Sequence, residues 1–321
     1  MNVNHNQPPH GQSRRAFIKT TGTGILAASV WAGCAGSGGP KQEGHESRQA
    51  GKNPMTTPGV ALQLYTVRNE IEQDTEGTLR RVAELGFHHV ETAFWPKDVS
   101  AAQAAGLLRE YGLKPVAAHI ELPASSESRK AFLEAARNYD CTRMIWHGWP
   151  EDPRYQTTEG TKELIRLYRE ASRFAQDNGL TFGLHNHWWE FRNSPGDKRV
   201  FDHWMEGLDD ATFLELDTYW IKVAGYDPAQ VIGEAGERVK FIHLKDGPAR
   251  WHEQLAQDNP DPMTAIGKGV QDIPAIINAS RAHVEWIVVE MDKVEGDVFE
   301  VLSDSLHTLN VLLDGQSGSQ S

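Results

Sequence analysis

The sequence predicts an α/β chain folded as a single (β/α)8 TIM barrel, and three observations point to it. Short apolar segments rich in strand formers alternate eight times with amphipathic segments. The alternation fills about 260 residues, a usual size for one such barrel. A doubly wound open sheet would need a Gly-rich phosphate loop after its first strand, and Gln63-Leu64-Tyr65-Thr66-Val67-Arg68 has none.

The first strand is expected over 59–67, followed by a helix over 75–85 that ends at Gly86. A strand over 88–93 and a helix over 101–111 closed by Gly112 come next, then a strand over 114–120 and a helix over 126–139. The fourth strand spans 142–147; a long Pro-rich loop separates it from a helix over 161–178, stopped by Gly179. Strands five to eight lie at 181–187, 212–217, 239–243 and 285–290, with helices near 201–206, 228–232, 273–282 and 298–313. Glycine after a helix supplies a left-handed cap, so each marks the turn into the next strand.

The last four strands end in His185, Asp217, His243 and Glu290. Buried carboxylates and imidazoles are costly unless paired or metal-bound, and in a barrel all four converge at the C-terminal mouth, where such enzymes do their chemistry. A mixed His and carboxylate set suits one divalent ion, Mn²⁺, Co²⁺, Zn²⁺, Fe²⁺ or Mg²⁺, better than Ca²⁺. A helix cap or salt bridge is the structural alternative for Asp217. His187 lies two residues beyond His185 and shares its side of a strand. Glu91, His119 and His147 near the ends of strands two to four, and Arg68 after the first, are candidate substrate contacts.

Seven tryptophans, Trp95, Trp146, Trp149, Trp188, Trp189, Trp220 and Trp251, fall at or just after strand C-termini. Aromatic faces there stack on sugar rings and make a water-poor pocket, with Trp188 and Trp220 the nearest candidates for substrate. Gly267-Lys268-Gly269 is either a tight turn or a phosphate contact.

The chain has 321 residues and a formal net charge of -12, with Lys and Arg scattered. No electrostatic footprint for nucleic acid is present. Cys34 and Cys141 are the only cysteines, and Cys141 reads as a small buried hydrophobe. Ser13-Arg14-Arg15-Ala16-Phe17-Ile18-Lys19 resembles a twin-arginine export signal, and the weakly apolar run over 20–33 reads as its h-region. The export machinery is therefore an expected partner, with a periplasmic or lipid-anchored destination. Trp31-Ala32-Gly33-Cys34 resembles a lipobox, which would place a lipid on Cys34, though Trp31 stands where Leu is usual. The expected division is a signal over 1–34, a flexible tether over 35–58 and the barrel over 59–315. A homo-oligomer is compatible with this composition.

Beyond Pro58 the chain resembles the sugar phosphate isomerase/epimerase group of xylose isomerase-like TIM barrels. The resemblance rests on Gln63 to Arg68, Gly86-Phe87 with Val90-Glu91, His185-Asn186-His187 with Glu190-Phe191, Asp217-Thr218-Tyr219-Trp220 with Ala224-Gly225, His243-Leu244-Lys245-Asp246, Gly267-Lys268-Gly269 and Val289-Glu290. Relatives include ketose 3-epimerases, inosose dehydratase and endonuclease IV. The resemblance implies a divalent ion on His185, Asp217, His243 and Glu290, and proton abstraction beside a sugar carbonyl through an enediolate. Glu290 would be the base, Glu190 or His187 its partner, and Lys245 would steady the oxyanion. The epimerases carry Glu where His185 stands. That departure weakens simple epimerisation and leaves room for isomerisation, or for a lyase acting on a 3-keto-glycoside or inosose. A non-catalytic sugar-binding protein is the alternative from another class. The acidic balance argues against a nuclease.

Overall fold

The computed structural model describes residues 57–150, 152–257 and 259–314. The export signal, Cys34 and all but the last two residues of the tether lie outside the described residues. Eight strands run β1 Gly59–Gln63, β2 His89–Thr92, β3 Lys114–His119, β4 Arg143–Trp146, β5 Thr181–His185, β6 Phe213–Asp217, β7 Val239–Leu244 and β8 Trp286–Val289. Each pairs in parallel with the next, and β1 pairs with β8 to close the barrel, Gly59 opposite Trp286 and Leu62 opposite Val289. No helix among the described residues is long and apolar enough to cross a membrane.

Local chemistry sets the element ends. Ser100 caps the helix Ala101–Glu110 with a reciprocal bond from Gln103, Ser125 caps Ser126–Tyr139, and Asp227 caps Pro228–Ala235. Gly86, Gly112 and Gly179 take positive φ of 100°, 70° and 71°, as turns out of the preceding helices require.

Two strands end two or more residues before their apolar runs predict. β1 stops at Gln63, whose side chain accepts from Tyr65 N and caps a 3-10 turn over Leu64–Val67, followed by a helix over Arg68–Gln73. β5 stops at His185, where Asn186 replaces the ladder: its Oδ1 accepts from Asp217 N at 3.0 Å and its Nδ2 donates to Asp217 O at 3.4 Å. His187 is therefore a loop residue.

Side chains inside the barrel recur every second residue, so they stack in layers. The floor is apolar: Ala61, Ala117, Ile145, Phe213, Phe241 and Val288 form one buried cluster. Gly183 belongs to the same level, and a Cβ there would lie 2.4 Å from the Phe213 ring, so the missing side chain makes room for the aromatic one. Two residues further along the strands stand Gln63, Glu91, His119, His147, His185, Glu215, His243 and Glu290. The pairing register slips just before Glu91 and just before Glu215. Such irregularities re-aim side chains near functional sites.

Candidate metal centre

Three imidazoles converge on one carboxylate oxygen. Glu215 Oε2 lies 2.8 Å from His119 Nε2, 3.0 Å from His185 Nδ1 and 3.2 Å from His243 Nε2. Glu91 Oε2 lies 2.7 Å from the same His243 nitrogen and accepts from Gln63 Nε2 at 2.7 Å. The other His243 nitrogen, Nδ1, meets Glu290 Oε2 at 2.7 Å. Burial disfavours charge on His119 and His243. Glu91 and Glu215 nevertheless raise His119 to about 10, and together with Glu290 they hold His243 well above the usual imidazole range.

The second half of the centre surrounds Lys245. Its ammonium is buried and lies 2.8 Å from Asp217 Oδ2, 2.7 Å from Glu290 Oε2 and 2.6 Å from Asp292 Oδ2. Burial works against the charge, but the three carboxylates keep Lys245 protonated. Lys245 and His243 in turn hold Glu290 well below the carboxylate range despite its burial. Burial pushes Asp217 up to about 6, against the pull of Lys245. Asp217 serves two partners, since Oδ1 caps Trp220 N at 3.0 Å while Oδ2 faces Lys245. The helix cap and the charged role are both real.

Two donor sets fit a divalent ion by chemistry and proximity. Asp217, His243 and Glu290 form one, and His119, His185, Glu215 and His243 the other; within each, the donor atoms all lie within 4.8 Å of one another. His185 reaches the first set only weakly, its Nε2 standing 3.7 Å from Asp217 Oδ2.

Several expected roles change. Glu290 is held as a carboxylate between His243 and Lys245. Lys245 is not free to steady an oxyanion, because three carboxylates already surround it. Glu91 and His119 are bound into the cluster rather than standing free for substrate. Arg68 is spent on two backbone carbonyls, Tyr65 O at 2.9 Å and Asp292 O at 2.7 Å. Glu190 is buried beside the β5 loop, where it accepts from His187 N at 2.8 Å and contacts Tyr155 and Trp189; burial raises it to about 8. It holds the loop instead of facing the ion pairs. Gly267 and Gly269 donate backbone N–H groups to Asp246 Oδ2, both at 2.9 Å, while Gly247 and Gln271 serve Oδ1. The glycine loop thus cradles the chain's own carboxylate, not a phosphate.

His147 and His187 behave differently from the clustered histidines. Neither ring has a hydrogen-bond partner at its buried Nδ1. Burial and the neighbouring imidazoles lower His147 to about 3 and keep His187 well below its usual range, so both are neutral. His147 stacks at 5.7 Å on His119, and His187 stacks at 4.0 Å on Trp189. Trp188 and Trp220 pack on each other at 4.7 Å, and Trp220 lies 5.4 Å from the Lys245 ammonium, so they form a wall. Among the described residues the exposed aromatics are Phe94, Trp149 and Trp251, on loops after β2, β4 and β7.

Glu215 and Asp292 are the charged residues of the site that reading strand ends alone misses, and the neutral Gln63 donates into it. Stepping two residues back from Asp217 finds Glu215, and two forward from Glu290 finds Asp292.

A family model described as "Xylose isomerase-like TIM barrel" matches residues 79–309, and the chain belongs to that family. The inosose dehydratase of Geobacillus kaustophilus (strain HTA426) is 24% identical, over 67% of this chain and 79% of its own. A sugar phosphate isomerase/epimerase from Parabacteroides distasonis ATCC 8503 superposes with a TM-score of 0.62 at 19% identity, covering 82% of this chain and 99% of that one. The IOLI protein, solved with a bound zinc atom, gives 0.60 at 15% identity, over 82% and 100%.

Proposed function

We propose that the chain is a metal-dependent enzyme that removes a proton beside the carbonyl of a sugar or keto-sugar. The observation that carries this reading is the pairing of a cation-ready donor cluster with two neutral, unpaired imidazoles, His147 and His187, at one barrel mouth. A divalent ion at the cluster would supply Lewis acidity toward the carbonyl. His187 and His147 are placed to relay the proton, since the buried Nδ1 of each has no hydrogen-bond partner; their low pKa keeps both rings neutral at rest, so the proton passes on and does not stay on the ring. Trp188 and Trp220 wall off water, and Trp149 and Phe94 offer faces for a sugar ring.

Elimination fits this site better than epimerisation. Epimerisation asks for two bases on opposite faces of the substrate, and Glu290, one of the expected pair, is held by His243 and Lys245. The likeness to an inosose dehydratase supports the same choice. Substrates are then inososes, keto-sugars or 3-keto-glycosides. Phosphorylated sugars fit poorly, because Lys245 and Arg68 are already engaged. The twin-arginine-like segment supports export, where free and glycosidic sugars are met.

The test is proton NMR in D₂O over a panel of inososes, keto-sugars and 3-keto-glycosides. Deuterium exchange next to the carbonyl, with loss of water or aglycone, is expected for at least one member. His187→Gln or His147→Gln should slow that exchange by about 10²–10⁴-fold while the fold is kept. A panel with no exchange anywhere removes the reading and favours a sugar-binding protein.

A further inference from the structure

We infer that Arg192 and Trp251, on the loops after β5 and β7, form an outer subsite at the barrel mouth for a ring bearing a carboxylate or sulfate, the far end of a glycoside. This rests on the sugar-binding part of the function proposed above.

The first ground is an unspent cation. Other cations on the loops of the mouth are engaged. Lys245 is surrounded by three carboxylates, Arg68 donates to two backbone carbonyls, Arg154 forks onto Asp152, and Arg250 lies 3.9 Å from Asp261. Arg192 is exposed and has no hydrogen-bond or ion-pair partner among the described residues. A guanidinium carries five N–H donors in a fixed fork, which fits a carboxylate or a tetrahedral oxyanion two bonds at a time.

The second ground is how that cation is held. The Arg192 guanidinium carbon stands over the Trp251 ring, 3.9 Å from its centre. Stacking uses the face of the guanidinium and leaves its N–H edge free. Of the three exposed aromatics, Phe94, Trp149 and Trp251, only Trp251 has a cation over its ring. Trp251 is 38% exposed, so an apolar ring and an oriented positive charge lie side by side within reach of solvent. A ring with an anionic substituent matches both.

The third ground is continuity with the pocket. The Trp251 ring lies 6.3 Å from Trp188, Trp188 lies 4.7 Å from Trp220, and Trp220 lies 5.4 Å from the Lys245 ammonium. The subsite is the outer end of the aromatic wall that leads to the buried charges, so one extended molecule can touch both. An anion on the reacting sugar finds Lys245 and Arg68 taken, whereas an anion on the far ring finds Arg192 free. The chain as a whole repels anions, with a net charge of -12, so an unpaired guanidinium at the mouth works against that background.

Calorimetric titration of the full-length chain with phenyl, 4-carboxyphenyl and 4-(sulfooxy)phenyl β-glucosides tests this. These ligands lack a ketone, so binding is read without turnover. At least one of the two anionic glucosides should bind about 10-fold more tightly than the phenyl glucoside at low salt, and added salt should shrink that advantage. Preference for one acid alone identifies the anion as carboxylate or sulfate. Arg192→Gln should abolish the advantage while phenyl glucoside binding stays, which also shows that the variant is folded. Trp251→Ala should weaken all three. A mere latch between the two loops would alter stability without ranking ligands by charge. Equal binding of the three by wild type, a preference that survives Arg192→Gln, or no binding by any of them overturns the subsite. A charge preference without deuterium exchange on the sugar panel leaves the subsite standing and removes the enzymatic reading; exchange without a charge preference does the reverse.

Discussion

The apolar floor of the barrel and the charged groups above it, two to four residues further along the same segments, are stabilised by opposite means. The floor is Ala61, Ala117, Ile145, Phe213, Phe241 and Val288, which gain by leaving water and need no particular partner. The layer above gains nothing from burial as such. Glu91, Glu215, Asp217, Glu290 and Asp292 each lose solvation; His119, His243 and Lys245 offset that loss at 2.6–3.3 Å, helped by Gln63 on Glu91 and by the Trp220 backbone on Asp217. The floor therefore tolerates small changes of shape, whereas the charged layer depends on every member.

The sharpest way to break this contrast is Lys245→Met in metal-free protein. Methionine fills much of the space but leaves Asp217, Glu290 and Asp292 without their shared cation. Removing one partner of a buried ion pair costs about 3–5 kcal/mol. Urea titration should show that loss as a lower midpoint at unchanged slope. A midpoint close to wild type would mean that the charged layer is less dependent on Lys245 than its geometry implies.

The corresponding change in the floor is Ile145→Val. It removes one methylene from a fully buried position and should cost about 0.5–1.5 kcal/mol. Zinc affinity and its pH dependence should stay those of wild type, because Ile145 packs in the apolar cluster. A change in zinc affinity as large as that of a ligand variant would show that the layers are mechanically coupled.

The fold was legible because the alternation, the helix caps and the post-helix glycines are local. All eight strands fall inside the segments read from the sequence, give or take a residue at the seventh. The site was legible at its edges only. His185, Asp217 and His243 stand out as strand ends, but Glu215 is hidden inside Leu214-Glu215-Leu216, where an apolar run masks the residue that faces inward. His187 looked like strand because nothing in the sequence shows that Asn186 leaves the ladder to hold Asp217. The roles of Lys245 and of the glycine loop depend on partners from other segments. Asp292 and Asp246 become visible as those partners only once the chain is folded.

A pH-dependent effect belongs to Glu190, and its sign follows from burial. Its carboxyl is raised from 4.5 to about 8 by burial, against the lowering pull of the His187 backbone and Tyr155. The folded state therefore holds this proton more tightly than the unfolded chain does. The stabilisation is complete below the ordinary carboxylate value and is lost as pH rises through about 8. Glu190→Gln keeps the shape and the acceptor for His187 N but cannot ionise. Wild type should lose melting temperature relative to this variant between about pH 5 and pH 9, with the two alike at the acid end. Parallel curves across that range would mean that Glu190 is charged in place, with a cation or water to support it. The β5 loop would then belong to the charged layer and not to the apolar packing around it.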